Sequence, residues 1–125
     1  MTTPLDVLGE AKYVLLTTFR KDGSPVPTPV WVVRTGDELR VWSNPKAGKI
    51  KRIRRDGAVQ IAPCSVRGAP RGASIDAVAR LLPASDNAPV LAELVRKYGL
   101  RAFLSTLGQR YLHAPTAAIG IVLPA

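Results

Sequence analysis

Tyr13-Val14-Leu15-Leu16-Thr17-Thr18-Phe19-Arg20-Lys21-Asp22-Gly23-Ser24-Pro25-Val26-Pro27-Thr28-Pro29-Val30-Trp31-Val32-Val33 reads as two strands joined by a tight turn. Tyr13 to Phe19 is rich in β-branched and aromatic residues, which suit a pleated, half-buried surface. Lys21-Asp22-Gly23 supplies the hairpin turn, because Asp-Gly tolerates the positive φ such a turn needs. Val26 to Arg34 resumes the strand pattern, with prolines at every second position: 25, 27 and 29. Proline cannot donate to a sheet ladder, so this second strand is expected at an edge or with a bulged start.

The same grammar extends in both directions. Upstream, Thr3-Pro4 opens a short helix that turns Leu5 and Leu8 inward and ends at Gly9. Downstream, Gly36-Asp37 is a turn and Glu38 to Ser43 a third strand. A helix is expected from Asn44-Pro45 to about Asp56, closed by Gly57, followed by a fourth strand, Ala58 to Pro63. Residues 67–72 form a loop, and Ser74 to Leu82 a fifth strand. Val90, Leu91, Leu94, Val95 and Tyr98 recur at helical spacing within Asp86 to Tyr98, and Gly99 stops that helix. Leu100, Phe103, Leu104, Leu107 and Tyr111 suggest another helix. Ala117 to Leu123 is an apolar last strand, expected to be buried on both faces. The expected fold is mainly β with helices: a six-stranded antiparallel barrel, closed or half-closed, in a single domain of residues 1–125.

Composition narrows the function. A formal charge of +9 implies an acidic partner: nucleic acid, an anionic membrane or a polyanionic small molecule. A chain this short often borrows a wall of its site from a second subunit. One cysteine, Cys64, excludes an internal disulfide. With His113 as the only histidine, no protein metal site can be built. No G-x-S-x-G elbow presents a nucleophile to that histidine. No apolar run nears the roughly 20 residues needed to cross a bilayer. The N-terminus lacks a signal-peptide pattern, so a cytoplasmic protein is expected.

The segment Asn44-Pro45-Lys46-Ala47-Gly48-Lys49-Ile50-Lys51-Arg52-Ile53-Arg54-Arg55-Asp56 holds six of the 18 basic residues. If the helix opens at Asn44-Pro45, its first turn carries Lys46 and Lys49. A helix N-terminus is already positive, and a lysine there costs about 0.3–1 kcal/mol. An anion held by free backbone N–H groups and both ammoniums would offset that cost, with Gly48 allowing close approach. At 100° per residue Ile50 and Ile53 face inward. Lys49 and Arg52, with Lys46, form the phosphate-facing set, while Lys51 and Arg55 point outward. The pattern is not a nucleotide P-loop, because Ile50 replaces the serine or threonine that follows the lysine.

The run Tyr13 to Val33 quoted above resembles the opening of the pyridoxamine-phosphate-oxidase-like split-barrel superfamily. Leu39-Arg40-Val41-Trp42-Ser43, Gly48-Lys49-Ile50-Lys51-Arg52-Ile53-Arg54 and Ala58-Val59-Gln60-Ile61-Ala62-Pro63-Cys64 continue the likeness. Within that superfamily the chain is similar to small actinobacterial-type enzymes that use the deazaflavin coenzyme F420. The resemblance implies a homodimer with two cofactor sites at the subunit interface. It implies phosphate contacts from Lys49, Lys51 and Arg52. It also implies a ring platform made of Thr28, Pro29, Val30, Trp31, Trp42, Ser43, Ala62 and Pro63.

FMN-using relatives share the scaffold, so FMN is the alternative cofactor. F420 is favoured because its phosphodiester and oligoglutamate tail form a larger anion, matched to a basic surface reaching Arg54, Arg55, Arg67 and Arg71. The implied reaction is hydride transfer between the cofactor and a small unsaturated or quinone-like molecule, the protein supplying position and electrostatics. No residue is assigned as catalytic. Trp31 and Trp42 either line the cofactor or pack in the core. A non-catalytic carrier of the same fold is a further alternative. A nucleic-acid-binding module is disfavoured, because the charge is concentrated in one short segment.

Overall fold

The computed structural model describes residues 2–100, 104 and 117–124. The anticipated helix through Phe103, Leu107 and Tyr111 lies outside these residues apart from Leu100 and Leu104, as does His113. The elements, in chain order, are α1 (Pro4–Glu10), β1 (Tyr13–Phe19), β2 (Pro25–Val30), β3 (Val33–Thr35), β4 (Glu38–Ser43), α2 (Gly48–Arg55), β5 (Ala58–Cys64), β6 (Ile75–Leu81), a 3-10 turn (Ala84–Asp86), α3 (Asn87–Tyr98) and β7 (Ala117–Val122).

The strands form one antiparallel sheet in the order β2-β1-β5-β6-β7-β4-β3. Its two edges, β2 and β3, are neighbours in sequence. Only Trp31 and Val32 separate them, a link of about 10 Å at full stretch, so the sheet must curl until its edges meet. The result is an antiparallel barrel split along one seam. Prolines explain the seam. Val26, Thr28 and Val30 alternate with Pro25, Pro27 and Pro29, and β2 pairs with β1 along its whole length. Successive residues of a strand address opposite edges, so one set can bond β1 while the prolines stand where no N–H is needed. The free edge therefore offers no donors for β3.

The sequence suggested six strands; the structure has seven. The expected strand Val26 to Arg34 changes partner midway, pairing with β1 up to Val30 and with β4 from Val33. The turn glycines are as anticipated, with φ of 88° at Gly23 and 62° at Gly36.

Alternation divides every strand between two faces. Val14, Leu16, Leu39, Val41, Ile119 and Ile121 fill the barrel interior at 0–1% exposure. Ile50 and Ile53 of α2 and Leu8 of α1 join the same core. A second cluster lies on the outer face, where Val90, Leu91 and Leu94 of α3 pack with Val33, Leu82 and Ala118, against the partly buried Trp31, Trp42 and Tyr98. β7 is thus buried on both sides from Ala118 to Ile121, as its uniform apolar character suggested. On its outer face Gly120 lies beneath the Glu38 carboxylate, which bridges Arg40 at 2.8 Å and Arg80 at 3.0 Å.

Candidate functional site

The basic helix is shorter than its sequence suggested. Asn44 does not cap it: the Asn44 side-chain oxygen accepts from the Lys46 N–H at 2.9 Å, a local turn that consumes the capping group. The helix begins at Gly48, behind Ala47, which offers no side-chain cap. Lys46 therefore precedes the helix and is exposed, while Lys49 is its second residue. Ile50 and Ile53 face inward as the periodicity required, at 2% and 5% exposure.

Along the exposed side of α2 runs a groove of about 620 Å³ lined by Gly48, Lys51, Arg52, Arg54 and Arg55, with Arg20 and Lys21 from the β1–β2 turn opposite. Six cations and no acid meet there. Of the phosphate-facing set expected from helical spacing the groove contains Arg52 but neither Lys46 nor Lys49, and it contains Lys51, which the resemblance alone implied. Lys51, Arg54 and Arg55 are exposed. Lys49 is half-buried; its burial, and then the Arg52 charge, push its pKa below the ordinary lysine value. Lys51 and Arg55 point outward, as the helical spacing requires, and both line the groove; Arg55 also donates to the Phe19 carbonyl at 2.6 Å. Arg20 and Lys21 carried no signal in the sequence, since only the packing of α2 beside β1 brings them within reach.

Arg52 organises the groove. Its Nε donates to the buried Thr18 hydroxyl at 2.6 Å, and its guanidinium folds over the start of α2. A Cβ on Gly48 would stand 2.7 Å from Arg52 Nη1. Gly48 thus makes room for its own helix's arginine, a role other than the close approach of an anion expected of it.

The eight expected platform residues do not share a face. Val14 opposite Val30 and Pro63, and Leu16 opposite Thr28, put Thr28, Val30 and Pro63 on the inner side of the sheet. Leu15 opposite Pro29 and Ala62 puts those two on the outer side. Ser43 follows the inner positions Leu39 and Val41, and is 4% exposed, whereas Trp42 pairs outside with Ala118. Trp31 stands in the link between β2 and β3, two residues before Val33 pairs with Arg40. Both tryptophans are half-buried, and with Tyr13, Pro29 and Val30 they line a cleft of about 310 Å³ that contains no charged side chain. Thr28, Ser43, Ala62 and Pro63 are not among its lining residues. The cleft includes the last two residues of β2, whereas the groove includes the turn that precedes that strand.

Beside the cleft, the last turn of α3 closes on the seam. The Val32 N–H donates to the Tyr98 hydroxyl at 3.1 Å, and that hydroxyl donates to the Lys12 carbonyl at 2.8 Å. Lys97 donates to the carbonyls of Gly9, Ala11 and Val32 at 2.9, 2.8 and 2.7 Å. Burial pushes the Lys97 pKa down to about 8, against the pull of Glu10. The Tyr98 ring stacks on Trp31, with centroids 4.8 Å apart and planes 15° from parallel. Helical spacing marked Tyr98 as a core residue; its polar end needed the fold to find a partner.

A curled antiparallel sheet split between strands adjacent in sequence is the architecture of the split-barrel proteins. The family model described as pyridoxamine 5'-phosphate oxidase matches residues 5–121, and the chain belongs to that family. A conserved hypothetical protein of Mycobacterium tuberculosis superposes with a TM-score of 0.74 at 18% identity, covering 100% of this chain and 82% of the other. The heme storage protein HutZ of Vibrio cholerae gives 0.69 at 16% identity, over 93% and 84% of the two chains. An F420 reductase gives 0.64 at 20% identity, over 100% and 97%. At these identities the likeness is one of fold. A search of curated proteins by sequence found no match. No described helix is long and apolar enough to cross a membrane.

Proposed function

We propose that this protein binds a phosphate-bearing flavin-type cofactor, F420 in preference to FMN, and uses it to transfer a hydride to or from a small unsaturated or quinone-like molecule. The observation that carries this reading is the groove beside α2, in which Arg20, Lys21, Lys51, Arg52, Arg54 and Arg55 meet without an acid. Collecting six like charges is unfavourable unless an anion completes them. One phosphate is a small counterpart for that charge, and an anion with several negative groups is a better one.

The residues fit such a ligand. Arg52, held by Thr18, offers a planar fork of donors suited to a phosphoryl group. Arg54, Arg55 and Lys21 extend the field to further carboxylates. The uncharged cleft at Trp31 and Trp42 suits a flat ring, and its separation from the groove favours an extended molecule. Hydride chemistry would come from the bound cofactor, while the protein orients the ring and excludes water. Lys49 and Lys46 support the field from outside the groove. The cleft lies on the outer surface, where a second copy of the chain can supply the missing wall, in keeping with a homodimer whose sites lie at the interface.

The test is titration of the purified protein with F420 and with FMN, following cofactor fluorescence. Saturable uptake of F420, tighter than that of FMN and weakened by added salt, is the expected result. Uptake of neither would overturn the reading. The protein is then loaded with reduced F420, and its oxidation by a panel of quinones, each taking up the hydride and a proton, separates an enzyme from a carrier.

A further inference from the structure

The seam of the barrel is bridged by side chains. At Trp31-Val32 the chain has left β1 and has not yet joined β4, so the Val32 backbone has no ladder partner and takes its bonds from Tyr98 and Lys97. All three Lys97 donors are used on carbonyls from two distant segments. A half-buried ammonium so placed costs desolvation, and three acceptors are a large commitment for one loop. What the bonds fix is the crossover that carries Trp31.

We propose that Tyr98 and Lys97 are positioning residues that hold the Trp31 indole as the rigid wall against which a ligand's ring packs in the cleft with Tyr13 and Trp42. This rests on the ring-binding reading of that cleft given above. Tyr98 covers Trp31 from one side, and the 310 Å³ cleft, which contains Trp31 but not Tyr98, opens beside it. A wall already in place spares the ligand the entropy of ordering it. With a neutral cleft lining, the ligand part selected here is an uncharged planar ring.

The arrangement carries its own titration. Burial brings Lys97 to about 8, while Glu10 on α1 and the three carbonyls favour the ammonium. The other titratable groups facing it are Lys12, Tyr13 on β1 and Tyr98, which with Lys97, Glu10 and Trp31 line a single cleft of about 490 Å³. Burial raises Tyr98 above the ordinary tyrosine value of 10.0, so it titrates well after Lys97. On losing its proton Lys97 keeps two donors for three carbonyls, and the crossover loosens.

The chain contains two tryptophans, so Trp42→Phe leaves Trp31 as the only indole reporter. Its emission is followed from pH about 6 to about 9.5, without ligand, in the full-length protein. A transition near the Lys97 value is expected, and it should vanish in Lys97→Gln and in Lys97→Met. In parallel, with Trp42 intact, Tyr98→Phe should weaken FMN binding about 3- to 10-fold, the scale of a lost aromatic alignment. It should have no effect when Trp31 is already phenylalanine. A transition that persists in both Lys97 variants overturns the proposal, and so does an equal loss from Tyr98→Phe in either background. Failure of the wild-type chain to take up FMN or F420 counts against the cofactor reading instead, because the emission arm needs no ligand.

Discussion

Gly48→Ala separates the two roles of the first turn of α2. Gly48 is the first residue of the helix, and its φ lies outside the left-handed region, so alanine there gains helix propensity, up to about 1 kcal/mol. The new Cβ, however, would stand 2.7 Å from Arg52 Nη1 and 3.3 Å from Cζ, so the guanidinium must move. Moving it strains or breaks the 2.6 Å bond from Arg52 Nε to the buried Thr18 hydroxyl, a hydrogen bond to a charged group worth about 1.5–3 kcal/mol. The two effects oppose, and the second is larger. In the wild type Gly48→Ala should therefore lower stability by roughly 0.5–2 kcal/mol. In an Arg52→Ala background the clash is gone, and the same substitution should raise it by up to about 1 kcal/mol. Urea denaturation of the four proteins reads this directly, since 1 kcal/mol moves the midpoint by roughly 0.3–1 M at ordinary m-values. Additivity of the two changes within about 0.5 kcal/mol would refute the claim that glycine is there to admit the arginine.

Arg52→Ala should weaken F420 or FMN binding by about 10- to 100-fold, whereas Lys46→Ala, outside both helix and groove, should change it by less than about 2-fold. Fluorescence titration measures both, and equal losses would dissolve the distinction. Gly57→Ala should cost about 1–3 kcal/mol in thermal or urea unfolding, because its Cβ would meet the Ala79 carbonyl oxygen at 2.5 Å and backbone cannot swing aside. For pH, Lys97 titrates at about 8 when folded and near 10.5 when unfolded, so between those values the unfolded chain holds the extra proton and stability rises with pH. Lys49 acts in the same direction. Tyr98 opposes them above pH 10.0, where an unfolded tyrosine ionises before the folded one. The urea midpoint should thus climb from pH about 8 to about 9.5, and Lys97→Gln should flatten the slope; a fall over that window would contradict the burial argument.

The sequence by itself determined where most strands lie, the hairpin at Asp22-Gly23, the proline-marked edge and the inward turn of Ile50 and Ile53, because each follows from local sterics or from a period of two or 3.6 residues; that Val26 to Arg34 divides into two strands was decided by the curl of the sheet. The resemblance carried by residues 13–64 extended this to the family. The start of α2 is not legible in the sequence, because Asn44 has two uses for one side-chain oxygen and only the folded turn at Lys46 decides between them. The tertiary structure alone decided which cations meet. Arg20 and Lys21 lie some 30 residues from Lys51 and Arg52, and their convergence depends on how α2 lies beside β1. It alone separated the platform residues onto two faces, since a register shift of one residue would exchange Pro29 with Thr28. It also supplied the partners of Lys97 and Tyr98. Their carbonyl acceptors are present in every residue, so no pattern of side chains could have named them; only the curl that brings residues 9–12 and 32 beside the end of α3 does.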